Sequence, residues 1–148
     1  MPSRDPHLQA AIEQARKSLS EGGIPIGSVL MHEGEIIGRG HNCRVQTGSA
    51  IDHGEMNCLR NAGRLPARVY RNSTLYSTLS PCPMCSGAIV LYKIPHVVVG
   101  ENRNFLGAED YMRSQGVVVD VVQDEECISM MRTFIEARPE LWNEDIGE

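Results

Sequence analysis

Apolar positions recur along the chain in two rhythms, and these divide it into alternating helices and strands. Leu8, Ala11, Ile12, Ala15 and Leu19 follow helical spacing after Asp5-Pro6, which predicts a helix ending near Gly22-Gly23. Residues 25–31 and 35–39 read as two strands of a hairpin that turns at Glu33-Gly34. A polar loop from Gly40 to Ile51 leads into a helix that begins near His53 and stops near Gly63. Ser73 to Leu79 forms a third strand feeding a helix through Cys82 and Cys85, with Ile89, Val90 and Leu91 expected in the core. His96–Gly100 and Val117–Val122 are short β-branched runs suited to buried strands. Between them, residues 108–115 are predicted helical, ended by Gly116, and Asp124 caps a last helix through about Ala137, before Pro139.

Strands alternating with helices imply an α/β protein, a three-layer α/β/α sandwich whose mixed five-stranded sheet carries helices on both faces. The opening hairpin is antiparallel, and the strand-helix-strand units after residue 73 are expected to be parallel, right-handed crossovers. With 148 residues and no internal repeat or linker, one domain over 1–148 is expected.

Composition narrows the partners. No apolar run approaches membrane-spanning length, and the polar N-terminus does not resemble a signal peptide. Five cysteines at irregular spacing argue against a disulfide framework and for a reducing compartment, hence the cytoplasm. The formal net charge of −5 offers no footprint for phosphate backbones, so nucleic acid is not expected as a partner. A small neutral molecule fits better.

The most informative residues are His53-Gly54-Glu55 and, further on, Pro81-Cys82-Pro83-Met84-Cys85. One imidazole and two thiolates can hold a Zn²⁺ ion while leaving its fourth position open, the arrangement of catalytic rather than structural zinc. H-x-E…P-C-x-x-C is the pattern of zinc-dependent base deaminases, in which the Glu carries protons and is not a ligand. Bound Zn²⁺ lowers the pKa of its water to about 7, and Glu55 is placed to act as base and then acid. Asp52 and Ser80-Pro81 look like helix caps, which would set two positive helix ends beside the cysteines. Two other readings stay open at this point. Cys82 and Cys85 could be a thioredoxin-like redox pair, which leaves His53 and Glu55 without a purpose. They could also belong to a structural four-ligand site, but Cys43, Cys58 and Cys127 form no second C-x-x-C and read as small buried thiols.

The order of these motifs resembles the cytidine deaminase-like superfamily, and most closely its fungal-type cytosine deaminases. The likeness covers nearly the whole chain. It rests on residues 21–27, Gly38-Arg39-Gly40-His41-Asn42, His53-Gly54-Glu55, residues 78–85, Val99-Gly100-Glu101-Asn102 with Asn104-Phe105, and the tail from Trp142 to Glu148. The resemblance implies a zinc-dependent hydrolytic deaminase of a free base, cytosine to uracil and ammonia, with zinc on His53, Cys82 and Cys85 and Glu55 as the proton carrier. It further implies that Asn42 and the Gly54 N–H bind the ring, and that Asp145 accepts from the exocyclic amine. Phe105 and Trp142 would form apolar walls, with Ile26, Leu79 and Ser80 at the pocket floor. Read without the resemblance, Asn42 is a loop residue in a left-handed turn, Gly54 a tight helix entry, Trp142 a cap on the core and Asp145 solvated surface. His41 reads equally well as a partner of the site and as an ordinary loop histidine. Two departures stand out: Asn143, where the fungal enzymes tend to carry an aromatic residue, and Cys58. Isocytosine, guanine, pterins and tRNA adenosine are the alternative substrates, and an inactive zinc-binding interaction module is the non-enzymatic alternative. A homodimer is implied by likeness, and an exposed apolar face on or near the cysteine helix would be its sign.

Overall fold

β1 (Gly27–His32) sends Leu30 to one face of the sheet and Val29 to the other, and each neighbouring strand repeats this alternation. The computed structural model describes residues 4–148. β2 (Glu35–His41) follows through a turn in which Glu33 and Gly34 have φ of 51° and 83°, the left-handed pair that a tight hairpin needs. β3 (Ser73–Ser77) pairs antiparallel with β1, and β4 (His96–Val99) and β5 (Val118–Val121) add to it in parallel. The order β2-β1-β3-β4-β5 is the mixed five-stranded sheet expected from the pattern.

Helices cover both faces. α1 (Pro6–Ser20), capped by Asp5, packs Leu8, Ala11 and Ile12 against Val29, Tyr76 and Val98. On the opposite face, Cys58, Ile89 and Met112 meet Leu30, Leu75, Val97 and Val99. These come from α3 (Gly54–Ala62), α5 (Pro83–Leu91) and α6 (Glu109–Ser114). α7 (Glu125–Ala137), capped by Asp124, adds Cys127 to the α1 side. Gly40 permits α3 to lie close on β2, since a Cβ there would stand 2.2 Å from the Cys58 nitrogen. Among the described residues no helix is long and apolar enough to cross a membrane.

Four features differ from expectation. Two one-turn helices, α2 (Arg44–Thr47) and α4 (Ala67–Tyr70), occupy stretches without enough periodicity to be seen. α7 is not the last helix, because Pro139 opens α8 (Pro139–Asp145) instead of closing the chain's helical part; proline at the first helical position forfeits no hydrogen bond. β3 ends at Ser77, so residues 78–82 form a loop. Leu91 is 68% exposed while Ile89 is fully buried, because two steps of about 100° carry it to the far side of α5.

Ile24, Ile26, Leu79, Met131, Phe134 and Trp142 form a separate apolar cluster. It lies where β2 and β3 end and β1 begins, beyond the carboxyl ends of the parallel strands, the usual place for a ligand in an open α/β sheet.

Candidate functional site

α3 and α5 both start at this end of the sheet, and their cap residues are His53 and Cys82 themselves. Both caps are extended and make no side-chain capping bond, so imidazole and thiol are free for other partners. Asp52 and Ser80-Pro81 were the expected caps, and both expectations are off by one residue or two. The Asp52 carboxylate is taken by Thr47 Oγ1 (3.1 Å), Asn57 Nδ2 (3.1 Å) and Arg60 Nη1 (3.0 Å). Ser80 Oγ donates to Glu109 Oε2 (2.6 Å) and accepts from the Gly107 N–H (2.9 Å), and Pro83 rather than Pro81 opens α5.

His53, Cys82 and Cys85 bring one ligand atom each to within 4.8 Å of one another. His53 Nδ1 lies 3.5 Å from Cys82 Sγ. Zn–S and Zn–N bonds of ordinary length meeting at a tetrahedral angle leave an N···S edge of about 3.6 Å, so the donor set fits zinc in both chemistry and span. Nδ1 faces the sulfurs, and Nε2 faces Asp145 Oδ1 at 3.5 Å, a carboxylate backing that fixes the ring.

The electrostatics favour a cation. A hydrogen bond from the Cys85 thiol, working against burial and joined by His53, lowers the Cys82 pKa to about 4. The same Cys82 contact, with burial, raises Cys85, so the pair holds one proton between them. Burial opposes a charged His53, yet Cys82, Asp145 and Glu55 raise its pKa to about 9. Glu55 is buried, and its desolvation, reinforced by the Cys82 charge, raises it to about 7. Asp145 is likewise raised by burial, against the pull of His53, Asn42 and Arg44.

One cavity gathers most of the predicted site residues. Ile26, Leu79, Ser80, Phe105, Trp142 and Asp145 line it together with His53, Glu55 and Cys82. Phe105 and Trp142 meet edge to face, 5.7 Å between ring centres, and roof it over. Its volume is about 10 Å³, room for about one water. Asn42 and Gly54 stand behind the wall rather than in it. The Asn42 amide donates to Asp145 Oδ1 (2.9 Å) and accepts from the Arg44 N–H (3.1 Å). Gly54 abuts the Ile26 backbone, where a Cβ would come within 3.1 Å of the carbonyl oxygen. His41 turns away, bonded to Glu21 at 2.8 Å. Cys58 is buried, and desolvation raises its pKa to about 12, so it is an inert core thiol.

Three residues here escaped the sequence reading. Ile146 also lines the cavity, Glu109 anchors the cysteine loop through Ser80, and Arg44 reaches α8. Only Ile146 had a signal, its place in the matching tail; an acid in a helix's first turn and a loop arginine have none.

Known proteins agree with the geometry. Residues 1–101 match the family model described as the cytidine and deoxycytidylate deaminase zinc-binding region. Cytosine deaminase of Candida albicans is 56% identical over 142 residues, 95% of each chain. A tRNA-specific adenosine deaminase of Streptococcus pyogenes serotype M18 is 47% identical over 141 residues, 86% of each chain. Among solved structures, a tRNA:A34 deaminase aligns at TM-score 0.70 and 26% identity, covering 87% of this chain and 99% of that one. A guanine deaminase from Nitrosomonas europaea gives 0.72 at 17% identity, covering 90% and 85%, a likeness of fold alone. The chain belongs to the zinc-binding cytidine and deoxycytidylate deaminase family, with Zn²⁺ as its cofactor.

Proposed function

We propose that this chain is a single zinc-dependent domain that hydrolyses cytosine to uracil and ammonia. One observation carries the reading: a buried carboxyl, Glu55, shares one small cavity with the His53 and Cys82 donors beneath Phe105, Trp142 and Asp145. The 56% identity to a cytosine deaminase over nearly the whole chain supports the choice of base.

His53, Cys82 and Cys85 hold the metal. Zn²⁺, when bound, supplies a water whose pKa has fallen to about 7. Glu55 Oε takes one proton from the attacking water and delivers it to N3 of the ring. It then takes the second from the hydroxyl added at C4 and passes it to the amine, so that C4–O becomes a carbonyl as the C4–N bond breaks and ammonia leaves. The burial of Glu55 suits both tasks, because desolvation disfavours the charged carboxylate and so makes the side chain a better base and a readier proton carrier. Asp145 accepts from the exocyclic amine and orients it. Asn42 stands behind Asp145 and holds its carboxylate in place, and after its bonds to Asp145 and Arg44 it keeps one amide hydrogen and one lone pair that could serve the ring once the cavity opens. Ile26, Leu79 and Ser80 form the floor, and Gly54 lets the backbone approach. A cavity of about 10 Å³ cannot admit a base, so α8 or the Phe105 loop swings aside at each turnover.

The tRNA reading draws support from the 47% identical streptococcal relative. One observation favours the free base instead: the net charge of −5, which offers no footprint for phosphate backbones. The same reading makes the chain a cytoplasmic homodimer, supported by five free cysteines and by exposed Leu91, Tyr92, Ile51 and Tyr111 around α5.

The test is ammonia release from the zinc-loaded protein offered cytosine, isocytosine, guanine, adenine, cytidine and a tRNA anticodon stem. Turnover confined to cytosine and close analogues is expected. Preference for the tRNA stem or for a purine would overturn the assignment.

A further inference from the structure

We infer that Arg44 is a latch that holds α8 closed over the cavity, a positioning role in the proposed base deamination. Its backbone N–H donates to Asn42 Oδ1 (3.1 Å), which fixes the start of α2 against the residue that grips Asp145. Its side chain then crosses to the far end of the chain. Nη1 donates to the Glu144 carbonyl (2.6 Å) and lies 3.6 Å from Asp145 Oδ1. That carbonyl belongs to the last turn of α8, the partly negative end of the helix, where it also accepts from the Gly147 N–H (3.2 Å), and the guanidinium adds a charged donor from 100 residues away.

The contact ties the roof to the wall at one point. α8 carries Trp142 and Asp145, both in the cavity lining, and Arg44 itself borders the adjoining surface groove with His53, Cys82 and Phe105. Hence the residue stands at the mouth, outside the reacting centre, and acts on the substrate only through α8. The grip is also incomplete. Arg44 Nε is buried without a partner among the described residues, and the Asp145 contact is longer than a good charged hydrogen bond. An under-satisfied guanidinium releases more easily than a bidentate one, which suits a fastening that must open for each base.

Trp142 is the only tryptophan of the chain, so its fluorescence reports the position of α8 directly. The experiment compares acrylamide quenching with KM and kcat for cytosine in the zinc-loaded wild type, Arg44→Met and Arg44→Lys. Met keeps the packing stem without donors; Lys restores one donor. For Arg44→Met, quenching should rise several-fold and KM by about tenfold, the loss of one charge-assisted hydrogen bond, with kcat unchanged or higher. Arg44→Lys should fall between that variant and the wild type in both readouts. Should Arg44→Met fail to fold, Arg44→Gln is read in the same way. Unchanged quenching in the folded Met or Gln variant overturns the latch. Raised quenching with KM unchanged keeps the latch and sinks instead the reading of α8 as the cover of the substrate site, on which the inference rests.

Discussion

Asn42 Nδ2 donates to Asp145 Oδ1 across 2.9 Å, tying the end of the β2 hairpin to a helix 103 residues further along. Both groups are buried, so neither has water to fall back on. Replacing Asn42 with Ala strands a buried carboxylate beside His53. A loss of about 2–3 kcal/mol is expected, roughly a hundredfold in kcat/KM for cytosine, with zinc stoichiometry intact. Unaltered kcat/KM would remove Asn42 and its bond from the working site.

Glu55 makes the sharpest catalytic prediction. Glu55→Gln keeps the volume and the burial but cannot carry a proton, so kcat should fall by at least about 10²–10⁴. Metal content, measured by atomic emission, should stay at that of the wild type, since Glu55 is outside the donor group. Near wild-type turnover would show that some other group moves the protons.

Cys85→Ala separates the metal from the proton carrier. Loss of one thiolate should lower zinc occupancy on dialysis and weaken binding by at least about tenfold. A variant that retains a full equivalent of zinc through dialysis against chelator would exclude Cys85 as a ligand.

Asp124 offers a stability test far from the chemistry. Burial works to raise its carboxyl, but the Cys127 N–H, Arg4 and the Glu126 N–H outweigh it and hold the pKa below the ordinary carboxylate value. A depressed folded pKa stabilises the protein above the unfolded value and loses that contribution as pH falls through the folded one. Asp124→Ala should therefore cost about 1 kcal/mol at neutral pH, the worth of a helix cap. The gap between wild type and variant, from urea unfolding, should narrow below a pH of about 4. A gap that stays constant with pH would contradict the linkage.

The apolar side of α5 tests assembly. Leu91 and Tyr92 are exposed; a charge at Leu91 leaves the core untouched, whereas the Tyr92 ring also packs on buried Tyr70 at 5.2 Å, so Leu91→Asp is the cleaner of the two. Leu91→Asp and Tyr92→Asp should turn a dimer into a monomer in sedimentation experiments without lowering zinc content. A wild type that sediments as a monomer at micromolar concentration would defeat the homodimer.

Much of this was legible in the sequence because periodicity and chemistry pointed the same way. Val97 to Val99 can only be a buried strand, and Leu8, Ala11 and Ile12 fix the inner face of α1. His53, Cys82 and Cys85 come together with Glu55 beside them, the grouping to which the H-x-E…P-C-x-x-C spacing pointed. What was hidden depends on contacts far apart in the chain. Asp52 and Ser80 have the composition of caps, but tertiary partners claim their oxygens, and the caps move to the next residue or the one after it. Pro139 reads as a terminator in the sequence because proline both ends and begins helices, and the packing of Trp142 and Leu141 decides for a beginning. Arg44 had no local pattern, since its partners lie 100 residues away.

That His53 and Cys82 sit at the first joints of α3 and α5 has a practical corollary. Any substitution that tilts either rod, even one deep beneath the sheet at Cys58 or Ile89, will misalign nitrogen against sulfur before it loosens the fold as a whole. Damage from such lesions should register first as leaking metal and only later as a lower melting point, so a chelator challenge will rank core variants more finely than heat.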